Sequence, residues 1–304
     1  MEQEIRAAAF EWLRRQKELH GDVFSRELLA KGFDFRGQRI TLIGPQGIWK
    51  PKQFAQIPIS ITTVPDCPYQ DTFPNKGHIS YSYRGVNPLH PDNLGLRIAM
   101  KYQIPLIYFF GIQKGKYVPV WPVYVVRDEP QRLTFTISVD EFRQHEGVQY
   151  PHSNQIAEII IREEAPKREY ITTEVRQRLF QQAFREIVLS AYDEQCAFCR
   201  LRHVELLDAA HIIPDNDEQG KPVVNNGLSL CKIHHAAFDN HIVGVRPDYK
   251  IEVRSSILTE SDGMMLKYGI QELHGKAIIL PRRLQDYPGT TQLEWKYKQF
   301  KSAV

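Results

Sequence analysis

The chain has 304 residues, a length that suits two domains. With 42% hydrophobic and 25% charged residues, and with no internal repeat or low-complexity tract, it is an ordinary globular sequence rather than a disordered or fibrous one. The net charge of +3 is too small to indicate a nucleic-acid partner by itself. No secretory signal and no long apolar segment are evident, which favours a cytoplasmic protein without disulfides or a membrane partner.

Two helices are predicted at the start of the chain. Residues 4–19 form an amphipathic pattern, with Phe10 and Leu13 among the apolar positions. Residues 22–31 predict a second, short helix that Gly32 closes.

Between residues 38 and 139 the pattern changes to short apolar stretches separated by Gly, Pro and Asn, which predicts strands. One helix is predicted among them at 93–102, with Asp92 as its N-cap. This part of the chain is therefore predicted to be strand-rich and barrel-like. The apolar stretches lie at 40–43, 57–62, 79–83, 105–110, 117–126 and 133–139.

The predicted organisation is a first domain at 1–145, a polar linker at 146–168 and a second domain at 169–304. A strong helix with an apolar stripe is predicted at 172–192, at the start of the second domain. The remaining predicted elements of that domain outside its motif region are strands at 249–253 and 278–281 and a helix at 292–301.

The cysteines predict a metal site in the second domain. Cys196 and Cys199 form one CxxC pair, and Cys231 and His234 repeat the same spacing. Two such knuckles supply four nitrogen and sulfur ligands, which suits structural Zn²⁺ in tetrahedral geometry. The alternative is a set of reduced, buried cysteines with a histidine nearby by chance. Cys67 has no partner pattern and is interpreted as a core or surface thiol.

Within the same region, three polar residues fall on predicted elements in a meaningful order. A short strand ends at His211, Asn226 opens a second strand, and residues 231–240 predict a helix with His235 and Asp239 on one face. This segment resembles the HNH endonuclease family over roughly the last third of the chain. The predicted fold class is therefore α+β, with a barrel-like N-terminal domain and a zinc-stapled ββα-metal HNH domain.

The resemblance implies a role for each of these residues. His211 matches the general base that activates water, and Asn226 matches the residue that braces the hairpin and orients that base. His235 matches a ligand of the catalytic Mg²⁺ or Mn²⁺, whereas His234 belongs to the zinc knuckle by its spacing from Cys231.

One position departs from the family pattern. Many HNH enzymes place a metal ligand directly before the base, but here that position is Ala210. Asp208 is one candidate ligand, and is expected to reach the ion only through a bulge or a water bridge. Asp239 is the other candidate, and the alternative for it is a surface charge or a structural hydrogen bond.

A weaker resemblance concerns residues 79–125, where a Tyr-bearing strand precedes an Asn-bearing helix, a Pro-led strand and a strand pair around Tyr. This order is similar to SRA and related PUA-like domains, which read modified bases, often by flipping a nucleotide. The alternative is structural, because alternating Tyr is usual in strands and Asp-Asn is a good helix start. The candidates for reading DNA are Tyr81, Tyr83, Arg84, Asp92, Asn93 and Trp49.

The whole chain also resembles bacterial proteins described as predicted HNH restriction endonucleases. The leading hypothesis is therefore a metal-dependent HNH endonuclease that hydrolyses phosphodiester bonds in double-stranded DNA, as a restriction enzyme with modification dependence. Double-strand cutting needs two active sites, which fits a homodimer. One alternative is a non-cutting, zinc-stabilised DNA- or protein-binding module. Another is a nuclease whose first domain senses a protein or an effector.

Overall fold

The structure, a computed structural model, describes residues 1–63, 79–139, 165–217 and 219–303. The chain divides into two compact units, Met1–Leu179 and Phe180–Val304. Most of the predicted linker at 146–168 lies outside the described residues, as does Cys67, so the predicted domain limits remain predictions. Within the described ranges, no helix combines the length and apolar character that a membrane span requires.

The first unit begins with two helices and a short strand between them, which are α1 (Glu2–His20), β1 (Phe24–Ser25) and α2 (Arg26–Lys31). Both predicted helices are thus confirmed. The Ser25 hydroxyl caps α2 by accepting a hydrogen bond from the Leu28 amide at 3.2 Å. Gly32 ends α2 at φ 58°, and a Cβ there would lie 1.9 Å from the carbonyl oxygen of Ile40. Only glycine fits that close approach.

The remaining elements of this unit are β2 (Phe33–Phe35), β3 (Gln38–Ile40), β4 (Ile48–Trp49), β5 (Ser60–Thr62), β6 (Ile79–Ser82), α3 (Pro91–Lys101), β7 (Leu106–Gln113), β8 (Lys116–Glu129) and β9 (Thr134–Val139). Each predicted apolar stretch overlaps one of these strands. The N-cap of α3 is His90, whose Nδ1 accepts from the Asp92 amide, so the predicted Asp92 cap is wrong. Pro91 occupies the first helical turn and shifts the start of the helix to the residue before it.

One sheet of seven strands forms a curled half-barrel, as the barrel-like pattern predicted. Its order is β4-β5-β7-β8-β9-β6, with β1 also paired to β8. The β5–β7 pair is parallel and the others are antiparallel. The central strand β7 is buried on both faces: Ile107 and Phe109 join the core formed with α1 and α2, and Tyr108 is buried on the opposite face.

The second unit consists of the C-terminal part of α4 (Ala165–Ala191) and then β10 (Leu207–His211), β11 (Gly227–Cys231), α5 (Lys232–Asp239), β12 (Val243–Val245), β13 (Ile251–Val253), α6 (Ser255–Leu258), α7 (Met264–Gly269) and α8 (Thr290–Ser302). Two short 3₁₀ turns precede the hairpin strands, at Val204–Leu206 and Val224–Asn226. The predicted helices at 172–192, 231–240 and 292–301 are confirmed.

The predicted strand at 278–281 is wrong. Ala277 makes a single bridge to Lys250, and the backbone then turns away, so that the Ile279 amide bonds to the Ala197 carbonyl at 2.8 Å. Ile278 is buried by this loop, which explains the apolar run without a strand.

Candidate active site and metal centre

Four potential metal ligands converge where the β10–β11 hairpin meets α5. Cys196 and Cys199 lie in the turn after α4, Cys231 ends β11, and His234 lies in the first turn of α5. Their ligand atoms all lie within 4.8 Å of one another. We call these four residues the Cys3His cluster. The predicted convergence of the two knuckles is confirmed, and the cluster could hold a metal ion.

The imidazole of His234 is held in the orientation that such a site needs. Its Nε2 donates to the carbonyl oxygen of Gly269 at 2.7 Å, which leaves Nδ1 facing the cluster. Nδ1 lies 3.2 Å from Sγ of Cys231 and 3.4 Å from Sγ of Cys196. Burial alone would lower the pKa of His234, but the contacts with both sulfurs raise it to about 10. Ligand atoms this close to one another compete for the same protons. A divalent cation bound between the thiolates would take the place of those protons and remove the competition.

The hairpin delivers His211 at the end of β10 that adjoins its connecting loop. β10 and β11 pair without a bulge from Leu207 opposite Cys231 to His211 opposite Gly227. The His211 ring stacks on Phe184 of α4, with ring centroids 3.8 Å apart and an interplanar angle of 15°. A Cβ at Gly227 would lie 2.9 Å from the Phe184 ring, so glycine leaves the space for this stacking.

The electrostatics of His211 favour a neutral imidazole. Burial lowers its pKa, and the negative charges of Asp215 and Asp239 offset this only in part. Its Nε2 is buried and has no hydrogen-bond partner among the described residues. A neutral ring with an unpaired nitrogen is the form that can accept a proton at neutral pH.

Asn226 is 1% exposed and fully hydrogen-bonded. Its side-chain oxygen accepts from the Ile213 amide at 2.9 Å, and its nitrogen donates to the carbonyls of Ile213 and Lys221, each at 2.9 Å. These bonds tie the two ends of the segment between β10 and β11 together. The backbone that follows His211 is thereby fixed, in the manner expected of a bracing residue.

His235 lies between two carboxylates. Its Nδ1 is 3.8 Å from Asp208, on β10, and its Nε2 is 3.2 Å from Asp239, one turn further along α5. The contact with Asp239 is the largest cause that raises the pKa of His235. Asp208 reaches His235 although the β10–β11 pairing is regular, so no bulge is needed for that approach.

Arg185 supports Asp208 from α4. Its Nε lies 3.8 Å from the Asp208 carboxylate, and its Nη2 donates to the carbonyls of Val204 at 2.8 Å and Leu207 at 2.9 Å. The guanidinium thus joins the turn before β10 to the acid. Neither this role nor the Phe184–His211 stacking was predicted, because the sequence signals only charge at one position and an apolar stripe at the other.

Two of the DNA-reading candidates in the first unit, Tyr81 on β6 and Tyr83 directly after it, are 5% and 7% exposed. The Tyr81 hydroxyl donates to the Thr62 carbonyl at 3.3 Å. The Tyr83 hydroxyl contacts the Asp128 carboxylate and accepts from Arg97 at 2.9 Å. Burial raises the pKa of both tyrosines. Both rings therefore pack inside the half-barrel unit and present almost no surface in this conformation.

The side chain of Asn93 is also buried and bonds to the backbone of Arg84 and to the carbonyl of Asn87. Trp49 donates from its indole nitrogen to the Thr41 carbonyl at 3.0 Å. Both residues are thus engaged in holding loops of this unit.

Arg84 and Asp92 are the two candidates with accessible charge. The Arg84 guanidinium contacts the Asp92 carboxylate, and it also donates to the Gln46 side-chain oxygen at 2.5 Å. The Arg84 and Asp92 side chains are 36% and 20% exposed. The structure therefore brings Arg84, Asp92 and Asn93 together, whereas Trp49 bonds elsewhere.

In the second unit, a Cys3His cluster, an antiparallel hairpin that ends in histidine and a helix that carries a second histidine define a ββα-metal nuclease domain. A family model described as HNH endonuclease matches residues 196–246, which contain all of these features. The C-terminal unit therefore carries an HNH endonuclease domain, and the chain is a nuclease, as the sequence predicted.

Two solved structures show weaker similarity. A "Modification dependent TagI restriction endonuclease" is 16% identical, with 80% of this chain and 82% of that chain covered and a TM-score of 0.28. The "Type IV phosphorothioation-dependent restriction endonuclease ScoMcrA" is 13% identical, with 79% and 50% covered and a TM-score of 0.23. A comparison with curated proteins gave no match. The assignment of the nuclease domain thus rests on the family match and on the site itself.

Proposed function

We propose that this protein is a metal-dependent endonuclease that hydrolyses phosphodiester bonds in double-stranded DNA as a cytoplasmic restriction enzyme. The observation that carries the proposal is the His211 ring, at the end of a strand whose hairpin Asn226 braces: burial lowers its pKa, and its buried Nε2 has no hydrogen-bond partner among the described residues. His235, with a carboxylate at each ring nitrogen, supplies the second half of the site. The restriction role is supported by the resemblance of the whole sequence.

Two metal ions are part of the proposal. Zn²⁺ is proposed for the Cys3His cluster, because three thiolates and one imidazole are a common structural set for that ion. Mg²⁺ or Mn²⁺ is proposed for His235 with Asp208 or Asp239. Because Asp208 and Asp239 contact different ring nitrogens of His235, an ion bound at one nitrogen would have only one of these two acids within reach as a further ligand in this arrangement. Bound there, the ion would neutralise charge on the phosphate and on the leaving oxygen.

The proposed reaction starts at His211, which accepts a proton from a water molecule. The water oxygen then bonds to phosphorus, the bond from phosphorus to the 3′ oxygen breaks, and that oxygen takes up a proton. The products are a 5′-phosphate and a 3′-hydroxyl. The Phe184 ring holds the plane of the His211 imidazole, and Asn226 holds the backbone that follows His211.

The burial of His211 predicts the pH dependence of cleavage. Because burial lowers its pKa, the base stays neutral as the pH falls below the ordinary histidine value of 6.5, and the acid limb of kcat/KM should lie below that value. Phe184→Leu opens the ring to water, so the limb should move upward, towards 6.5. The measurement is kcat/KM against pH at fixed Mg²⁺ concentration for both proteins. A limb that stays in place would contradict a role for Phe184 in keeping the base neutral.

For the first unit we propose DNA selection, including recognition of a base modification. Support comes from the sequence resemblance to SRA and PUA-like domains and from the accessible Arg84–Asp92 pair, which offers a donor and an acceptor to a base or phosphate. The buried Tyr81, Tyr83 and Asn93 would take part only after a rearrangement of that unit, and the partly buried Trp49 would first have to leave its bond to Thr41. A homodimer would supply the two active sites that double-strand cutting needs.

The second candidate is a zinc-stabilised binding module that does not cut. The residue directly before His211 favours this binding module, because Ala210 is buried and offers no metal ligand. The site would then depend on His235 and one of two acids for its catalytic ion, and could hold that ion too weakly to react.

Matched plasmids test the proposed function and the second candidate together. Purified full-length protein would be incubated with unmodified, cytosine-methylated and hydroxymethylated plasmid, with Mg²⁺ and then with Mn²⁺. Cleavage confined to one modified plasmid is the expected result and would support both proposed roles. Equal cleavage of all three would remove the modification reader. Binding without cleavage by a folded, zinc-loaded protein would favour the binding module.

A further inference from the structure

A lysine with an unusual environment lies beside the candidate active site. Lys296 is on α8, and its side chain is 7% exposed, although lysine is almost never buried without an anionic partner. Its Nζ lies 5.0 Å from the centroid of the Phe238 ring. Phe238 directly precedes Asp239 on α5, so the ammonium packs on the helix that carries His235 and Asp239.

Apart from the Phe238 ring, the ammonium has no direct partner in the described part of the chain. Among the described residues, no carboxylate lies within 4.0 Å of Nζ and no hydrogen bond involves it. The Nζ atom nevertheless retains some access to solvent. Other lysines of α8 are paired, since Lys298 bonds to Glu294 and Lys301 bonds to Glu252, each at 3.0 Å. Lys296 therefore differs from its neighbours in being both buried and unpaired.

The positive charge of Lys296 acts on other titratable groups near the candidate site. Burial lowers the pKa of Lys296, and the Asp239 charge opposes that effect. The Lys296 charge in turn contributes to lowering the pKa of His241, whose Nδ1 is buried without a hydrogen-bond partner in the described structure. The positive charge thus lies within the range of both Asp239 and His241, and no anion of the described ranges pairs with it directly.

A buried, unpaired cation is unfavourable by itself and is stabilised when an anion binds next to it. We propose that Lys296 donates a hydrogen bond from Nζ to a non-bridging oxygen of the DNA phosphate that enters beside Asp239. This inference rests on the proposed function, because it assigns a residue to the same site. Lys296 stays protonated throughout and transfers no proton. Its fixed charge would stabilise the negative charge that grows on the phosphoryl oxygens as water attacks.

Lys296→Met in the full-length protein tests the inference, because methionine fills the space of the stem and removes only the charge. The matched control is Lys298→Met, two positions along the same helix and 73% exposed. Three quantities would be measured for both variants and the wild type: denaturant unfolding, duplex affinity against salt concentration without added divalent ion, and single-turnover cleavage with Mg²⁺. A titration of Mg²⁺ in the cleavage assay completes the set.

For Lys296→Met we expect unchanged or increased resistance to unfolding, since a desolvated charge is removed. The salt slope of duplex binding should fall by about 1, as for the loss of one phosphate contact. Cleavage should slow by about 10²–10³-fold, as when one donor to a developing oxyanion is lost. Lys298→Met should leave all three quantities close to those of the wild type.

Other outcomes would overturn the inference. A wild-type rate and salt slope in Lys296→Met would exclude the phosphate contact. Loss of stability with unchanged cleavage would make the residue structural. A lower half-saturating Mg²⁺ concentration with an unchanged salt slope would mean that Lys296 acts only through Asp239. If the wild type binds duplex but does not cut, the proposed function fails while the salt slopes still decide the contact; if it does not bind duplex, both fail.

Discussion

Replacing His211 with alanine is expected to reduce DNA cleavage by about 10²–10⁴-fold, the usual contribution of a general base. The physical reason is specific to this ring, because it is the stacked, partly buried imidazole whose unpaired Nε2 is free to accept a proton. The two residues that hold the ion in the proposal, His235 and an acid, are left in place. The measurement is the single-turnover rate on a cleavable duplex with saturating Mg²⁺.

The control for this prediction is His203→Ala, because His203 is exposed and lies upstream of the hairpin in the same unit. Unfolding curves and duplex affinity should match the wild type for both variants, which separates loss of the base from loss of the fold. Full residual cleavage in His211→Ala would refute the assignment of the base. If the variant is unfolded, His211→Gln, which retains more of the side-chain volume, becomes the deciding protein.

Replacing Cys196 with alanine is expected to unfold the C-terminal unit. The four ligands of the Cys3His cluster come from the turn after α4, the end of β11 and the start of α5, and the His234–Gly269 bond adds the end of α7. A metal ion in the cluster would therefore join most parts of this unit. Structural zinc sites contribute about 10–16 kcal/mol in small domains, which is comparable to the typical total stability of about 5–15 kcal/mol.

The prediction is checked by zinc content and by denaturant unfolding of the full-length protein, with Cys67→Ala as the matched control because that cysteine has no partner pattern. The wild type should lose the same unfolding transition when a chelator removes its zinc, and should regain it when zinc is returned. A Cys196→Ala protein that keeps a cooperative C-terminal transition without zinc would show that the cluster is not a structural metal site.

Much of the nuclease domain could be predicted because its signals are local. The spacing of Cys231 and His234 places Cys231 at the end of a strand and His234 in the first turn of the next helix. The same helix period separates His234, which faces the cluster, from His235, which faces Asp208 and Asp239. The strand ending at His211 could be recognised from its apolar run and the proline that follows.

The candidates in the first unit show where such reasoning fails. Tyr81 on β6 and Tyr83 directly after it alternate in a pattern that suits either an exposed reading surface or a packed core. Their burial is decided by partners from other strands, Thr62 for one and Asp128 for the other. Periodicity identifies the face of a strand on which a side chain lies, but not what covers that face.

The sequence by itself therefore determined the convergence of the Cys3His cluster, the order of His211, Asn226 and His235 along the ββα unit, and the strand-rich character of the first unit. Only the tertiary structure decided that Phe184 stacks on His211, that Asp208 and Asp239 contact opposite nitrogens of His235, and that the buried Lys296 packs on Phe238 of α5. The physical reason is that ligand spacing and helix periodicity are local properties of the chain. Contacts between α4, the hairpin and α8 instead depend on how distant segments pack together.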